Sequence, residues 1–92
     1  MYVLRDDIIE ELMELVNEYR QKGLDAGTNG PKDMANYNAA SLYFSFAYSF
    51  ATIIYYYQQR DKEKVKEIVN DLGTIEYSKV PFEIFRWIQV EE

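Results

Sequence analysis

A run of 26 residues, from Met34 to Gln59, carries no charged side chain, although 28% of the whole chain is charged. The run mixes aromatic residues with alanine, serine and threonine, and it contains neither glycine nor proline. Because nothing in it breaks a helix, it predicts one long helix. Such a helix either buries one face, crosses a bilayer or pairs with a second copy. The fold of the chain depends on which of these it does.

The length and composition indicate a single domain over residues 1–92. The hydrophobic content of 48% is high enough for a folded core. The chain has no cysteine and no histidine, which excludes disulfides, thiolate chemistry and the commonest general base. The absence of cysteine agrees with a reducing compartment, so we expect a cytoplasmic protein. The first residues also lack the basic and apolar regions of a signal peptide.

The N-terminal segment predicts an amphipathic helix from Arg5 to Lys22. Its apolar residues recur at helical spacing, at Ile8, Leu12, Leu15 and Tyr19. Gly23 is placed to end this helix as a left-handed cap, and Leu24–Gly30 then reads as a loop.

The uncharged run predicts a second helix from Pro31 to Gln59, with proline in its first turn. That helix would be about 43 Å long, whereas a compact chain of this size is about 32 Å across. We therefore expect the helix either to break near Asn36–Asn38 or to project beyond its own subunit. The second outcome would favour an oligomer.

The C-terminal third predicts shorter elements. Asp61 is a candidate N-cap for a helix that ends at Gly73, Thr74–Val80 reads as extended, and Pro81 opens a last helix through Val90. A small hairpin that pairs Ile75–Tyr77 with the C-terminal segment is the alternative. The predicted fold class is all-α: a three- to four-helix bundle around a long uncharged central helix.

A helical wheel divides the uncharged run into a packing face and a polar arc. The packing face supplies candidate core residues, namely Phe44, Phe46, Ala47 and Phe50. The arc is polar but uncharged and contains Asn38, Ser41, Ser45, Tyr48, Ser49, Thr52 and Tyr55. Because Tyr-rich uncharged faces resemble interface cores more than free surfaces, we predict a homodimer interface at Ser45, Tyr48, Thr52 and Tyr55. A solvated or partly covered helix face is one alternative, and another protein or a small molecule on this arc is a second.

The leading functional prediction is a small, non-enzymatic protein–protein interaction module that self-associates. It has no predicted catalytic, cofactor-binding or metal-binding residue. The net charge of −6 disfavours direct binding to nucleic acid, which relies on clustered Lys and Arg. An acidic decoy that imitates nucleic acid is a second hypothesis. Its negative strip would consist of Asp6, Asp7, Glu10, Glu11, Glu14 and Glu18.

A single membrane span is a third hypothesis for the uncharged run. Its strongly apolar residues contribute at most about −3.6 kcal/mol to insertion. Recurring hydroxyls and Asn38 oppose insertion, because their polar groups need partners in hydrocarbon. We therefore expect the chain not to span a membrane.

Glu10, Glu11 and Glu14 resemble the first half of the E-E-x-x-E motif of the all-α nucleoside triphosphate pyrophosphohydrolases. The resemblance implies Mg²⁺-dependent hydrolysis as a fourth hypothesis. That family carries E-x-x-D on a second helix. In this chain Asn70 stands at the position of that aspartate, three residues after Glu67.

Overall fold

The computed structural model describes residues 6–89, and 87% of this part of the chain is helical, with no strand. It forms five α-helices and one π-helical turn. In chain order they are α1 (Asp6–Leu24), the π turn (Asp25–Asn29), α2 (Met34–Gln58), α3 (Lys62–Asp71), α4 (Thr74–Lys79) and α5 (Phe82–Gln89). The all-α prediction is confirmed, with more helices than the three or four expected. The predicted outer ends of the terminal helices, Arg5 and Val90, lie outside the described residues.

Helix α1 continues through Gly23 instead of ending there. No glycine of the described residues has a positive φ, so the predicted left-handed cap is wrong. A Cβ on Gly23 would lie 2.9 Å from ring atoms of Phe44, so a side chain at this position would displace that ring. The predicted loop is likewise replaced by the π turn over Asp25–Asn29.

Helix α2 begins at Met34, because Asp33 rather than Pro31 provides its N-terminal signal. The Asp33 carboxylate accepts a hydrogen bond from the Asn36 N–H at 2.9 Å, as an N-cap does. The helix then runs for 25 residues, about 37 Å, without the break expected near Asn36–Asn38. The molecule is elongated, 49 × 22 × 19 Å, so α2 fits within it. The helix length is therefore no argument for an oligomer.

The C-terminal third is helical where an extended segment was expected. Asp61 caps α3 as predicted, accepting from the Lys64 N–H at 3.2 Å. The segment predicted as extended instead forms α4, whose first turn is closed by a 2.7 Å bond from the Tyr77 N–H to the Gly73 carbonyl. The alternative C-terminal hairpin is also wrong, because the described residues after α4 form α5.

The turn between α2 and α3 places a non-glycine residue in the left-handed region. Arg60 has a φ of 61°, and its N–H donates to the Tyr57 carbonyl at 3.1 Å. The Asp61 N–H donates to the Tyr56 carbonyl at 2.9 Å. These two bonds form the Schellman motif, in which glycine usually occupies the position of Arg60. The helix therefore ends at Gln58, within one residue of the end predicted at Gln59, although no glycine marks that position.

The core follows the contact between α1 and α2. The buried ring of Tyr19 stacks on Phe50, with centroids 5.7 Å apart, and meets the edge of Phe46 at 5.5 Å. Beyond this cluster, α3 and α5 cover the C-terminal part of α2, where Tyr57 and Trp87 meet edge to face at 4.9 Å. The buried hydrophobic residues of the described chain are Ile8, Leu12, Tyr19, Ala40, Ala47, Phe50, Ile53, Ile54, Tyr57, Val65, Val69, Val80, Ile84 and Trp87.

The four predicted core residues of α2 differ in burial. Ala47 and Phe50 are buried and Phe46 is partly buried against the core. Phe44 is 41% exposed, so its assignment to the core is wrong. Its ring lies against Gly23 at the edge of the α1–α2 contact and covers backbone on one side only.

Alanine substitutions at Phe50 and Phe44 provide a matched test of this packing. Phe50→Ala should lower the free energy of unfolding by about 3–5 kcal/mol, because it removes a fully buried ring. Phe44→Ala should cost about 1 kcal/mol, because much of that ring already contacts water. Urea denaturation followed by circular dichroism measures both. Equal losses for the two variants would contradict the described packing.

Candidate functional site

One line of residues along α2 is left uncovered by the other helices. We call it the α2 stripe: Met34, Asn38, Ser41, Ser45, Tyr48, Thr52 and Tyr55. The residues follow one another at alternating steps of four and three, which keeps them on one side of a helix. Tyr48 is 74% exposed and Tyr55 is 57% exposed. The stripe therefore presents two tyrosine rings to solvent in the C-terminal half of the helix.

The structure puts the four predicted interface residues together on this stripe. Ser45, Tyr48 and Tyr55 are exposed, and Thr52 is half-buried among them. Their part in an interface stays a prediction.

Hydroxyl groups on this side of α2 donate within the helix. Thr52 Oγ1 donates to the Tyr48 carbonyl at 2.8 Å, and Ser49 Oγ donates to the Ser45 carbonyl at 3.1 Å. A hydroxyl that is already hydrogen-bonded loses less on removal from water than one without a partner. These residues can be covered by another surface without leaving a hydroxyl donor unsatisfied.

Exposed apolar side chains beside the stripe were assigned to the wrong face. Leu42 and Phe44 are exposed, although the helical wheel put them on the packing face, and Tyr37 is exposed nearby. Charge could not mark the exposed apolar positions, because every residue in the run is uncharged. The position of α1 decides which side is covered.

A groove between α3 and α5 was missed by sequence reasoning. It encloses about 830 Å³ and is lined by basic and aromatic side chains, among them Arg60, Lys62, Lys66, Tyr77, Phe85 and Trp87. Lys62 Nζ lies 5.9 Å from the centre of the Trp87 ring, and the rings of Tyr77 and Phe85 are 4.8 Å apart. The residues that line the groove come from separate segments of the chain. Acidic residues lie between the basic ones, so the sequence shows no basic cluster.

A charged cluster joins α1 to α4. Lys79 Nζ donates to a Glu18 carboxylate oxygen at 2.7 Å and lies 5.0 Å from the centre of the Tyr19 ring. This hydrogen bond lowers the pKa of Glu18 and raises the pKa of Lys79. Burial raises the pKa of Tyr19. Both pairing partners thus favour their charged forms at neutral pH.

Lys79 of α4 lies beside one end of the acidic strip on α1. Glu10, Glu11 and Glu14 are exposed, while Glu18 is paired with Lys79. A shallow cavity of about 270 Å³ brings Lys79 beside Glu11, Glu14 and Glu18. The side chain of Asp6 lies outside the described part of the structure. This mixture of charges gives the acidic-decoy hypothesis no added support.

Two further features of residues 6–89 concern the metal-dependent hydrolase hypothesis and the membrane-span hypothesis. Within this range, no three side chains from His, Cys, Asp and Glu are grouped closely enough to hold a metal ion. No helix of the described chain has both the length and the apolar character needed to cross a membrane.

Comparisons of this chain with protein-family models, with curated proteins and with solved structures find no match. The α2 stripe and the groove are the two surfaces whose chemistry bears on function.

The Glu18–Lys79 pair predicts a pH-dependent contribution to stability. Because the folded-state pKa of Glu18 is lowered, its contribution is present at neutral pH and is lost as pH falls through that pKa. Lys79→Gln should therefore lower the unfolding free energy at pH 7 by about 0.5 kcal/mol, the scale of an exposed pair. The difference from the native chain should shrink as pH falls through the lowered pKa of Glu18, which lies below the ordinary range of a glutamate.

Denaturant unfolding at pH 7 and pH 3 measures this difference. Lys66→Gln is the matched control, because Lys66 is exposed and lies in the groove rather than beside Glu18. A difference for Lys79→Gln that stays constant between the two pH values would contradict the assigned pairing.

Proposed function

We propose that this chain is a non-enzymatic helical interaction module that forms a homodimer through the α2 stripe. The observation that carries the proposal is an uncharged, aromatic stripe exposed along a helix about 37 Å long. Interface cores are likewise poor in charged residues and enriched in tyrosine. The lack of cysteine supports action in the cytoplasm.

Charge supports a second copy of the same chain as the occupant. Two copies with a net charge of −6 repel each other over most of their surfaces. The exposed side of α1 carries Glu10, Glu11 and Glu14, so pairing there would oppose like charges. The α2 stripe avoids this cost, because a surface without charges does not repel its own copy.

The charges at the ends of α2 favour an antiparallel pair. When two antiparallel copies of the uncharged run Met34–Gln59 are centred on the same midpoint, residue numbers that add up to 93 lie opposite each other. Asp33 of one copy then faces Arg60 of the other, and Lys32 faces Asp61. In a parallel pair, each of these charged residues would instead lie close to the same residue of the other copy, and the like charges would repel. Antiparallel helix dipoles also attract.

Side-chain size supports the same register. In the antiparallel pair, Tyr48 lies opposite Ser45, and Tyr55 lies opposite Asn38, so each exposed ring meets a smaller residue. Ser41 lies opposite Thr52. This alternation lets rings fill the space that small residues leave, which is the packing that helix pairs need. Parallel pairing would set tyrosine against tyrosine and leave a gap between serines.

Lysine substitutions on the stripe test self-association. Tyr48→Lys and Ser45→Lys should each raise the dimer dissociation constant at least about tenfold, because each buries an unpaired charge. Helicity should not change, since both positions are exposed. Size-exclusion chromatography with light scattering, over a range of protein concentrations, measures the mass.

Asn17→Lys is the matched control, because it adds the same charge to an exposed position on α1. It should leave the mass unchanged or raise it, since it reduces the net charge. Equal weakening by Asn17→Lys, or unchanged mass in both stripe variants, would contradict the proposal.

A further inference from the structure

We propose that residues 73–79, which contain α4, form a strap that opens from α1 as a unit when the ion pair between Glu18 and Lys79 is lost, while the other described helices stay packed. The contacts that close the strap are made with α1 and α5, and none of them involves the α2 stripe. The strap can therefore be tested whether or not the chain dimerises.

Little apolar burial holds the strap in place. No residue of α4 is buried, and Ile75 is 68% exposed. By contrast, α2, α3 and α5 each bury at least two side chains. The ring of Tyr77 reaches Phe85 of α5, with centroids 4.8 Å apart, but Tyr77 is itself 43% exposed. Because burial supplies most of the stability of a helix in a protein, α4 depends on its polar contacts more than the other helices do.

Helix α4 is also weak by itself. It has six residues, whereas isolated helices shorter than about 12–15 residues are marginal in water. Gly73 occupies its N-cap position and makes no side-chain hydrogen bond to the first amides. Once it is released from α1, we therefore expect the segment to lose its helical hydrogen bonds.

Charged side chains make the contact that closes the strap. Lys79 Nζ donates to a Glu18 carboxylate oxygen at 2.7 Å and lies 5.0 Å from the centre of the Tyr19 ring. Lys22 Nζ lies 3.8 Å from the same Glu18 oxygen, so this carboxylate is held between two cations. The Tyr19 hydroxyl donates to a Glu76 carboxylate oxygen at 3.5 Å, which is a long hydrogen bond. The closed strap is thus attached to α1 chiefly by Lys79.

Apolar residues at both ends of the strap limit its motion. Val80, directly after it, is 4% exposed, and Leu72, directly before it, is partly buried against the core. Opening is therefore confined to the residues between these two anchors. It uncovers the ring of Tyr19, which is 1% exposed in the closed state and stacks on Phe50 in the contact between α1 and α2.

The closed state should weaken as pH falls. The hydrogen bond from Lys79 lowers the pKa of Glu18, so the charged Glu18 stabilises the closed state at neutral pH, and this stabilisation is lost as pH falls through that pKa. Tyr19 stays neutral over this range, because burial raises its pKa. Titratable groups around Lys79 and its partners are Glu11, Glu14, Glu18, Tyr19 and Lys22 on α1 and Glu76 on α4. Protonation of the further acids also removes attraction for Lys79.

Residue-resolved amide hydrogen exchange tests the strap in the native chain. The Tyr77 N–H, bonded to the Gly73 carbonyl at 2.7 Å, and the Val80 N–H, bonded to the Tyr77 carbonyl at 3.2 Å, report its opening. Their protection factors at pH 7 should be at least about a hundredfold below that of the buried Ile53 in α2, because opening leaves the core intact. They should change little in dilute urea, because opening exposes little surface. They should fall in about 1 M sodium chloride, which screens the ion pair.

A pair of lysine substitutions provides the control. Lys79→Gln should lower the protection factor of the Tyr77 amide about twofold at pH 7, the scale of an exposed ion pair, and this difference should shrink as pH falls through the pKa of Glu18. Lys64→Gln makes the same change of net charge and removes an exposed pair with Glu67, 3.8 Å away, on α3. It should leave the Tyr77 amide unchanged.

Any of three results would overturn the strap. The first is protection of Tyr77 equal to that of Ile53 with the same urea dependence, because α4 would then open only in global unfolding. The second is an equal effect of Lys64→Gln and Lys79→Gln on the Tyr77 amide. The third is protection of the Tyr77 amide that does not change with salt or pH, because charge would then not close the strap.

Discussion

The packing of α1 along one side of α2 is the contact on which the rest of the structure depends. Gly23 leaves room for the ring of Phe44, and Tyr19 fills the contact by stacking on Phe50. Because α1 occupies that side, and α3 and α5 cover the C-terminal part of α2, the remaining side of α2 stays open. The exposed stripe is thus the side of α2 that the other described helices do not cover.

Local signals predicted much of the fold. The apolar spacing of α1, the unbroken run of α2 and the N-cap at Asp61 each lie within one segment, so they can be read from the chain. The errors arose where neighbours decide the structure. In the sequence, Gly23 resembles the end of a helix. In the structure, α1 continues through Gly23, and the ring of Phe44 lies against this position. Helix α4 has only six residues and begins directly after Gly73. Its sequence alone therefore does not show whether this segment forms a helix or a strand.

The candidate sites also divide into features that the sequence predicts and features that only tertiary contacts determine. The exposure of Ser45, Tyr48 and Tyr55 follows from their polarity and spacing on the helix. The exposure of Leu42 does not follow from the sequence, because only the position of α1 decides which side of the uncharged run is covered. The groove was beyond sequence reasoning, because α3 supplies its lysines while α4 and α5 supply its aromatic residues. Only the folded chain brings these two sets together.

Cysteine cross-linking tests the central claim, antiparallel pairing through the α2 stripe, most directly, because the native chain has no cysteine. An oxidised mixture of Ser41→Cys and Thr52→Cys chains should form the mixed disulfide, identified by mass spectrometry, since these positions lie opposite each other. Neither variant should cross-link to itself, because its two copies are about 16 Å apart, beyond the reach of a disulfide. Cross-linking of each variant with itself would contradict the antiparallel register, and the absence of any disulfide would contradict pairing through this stripe.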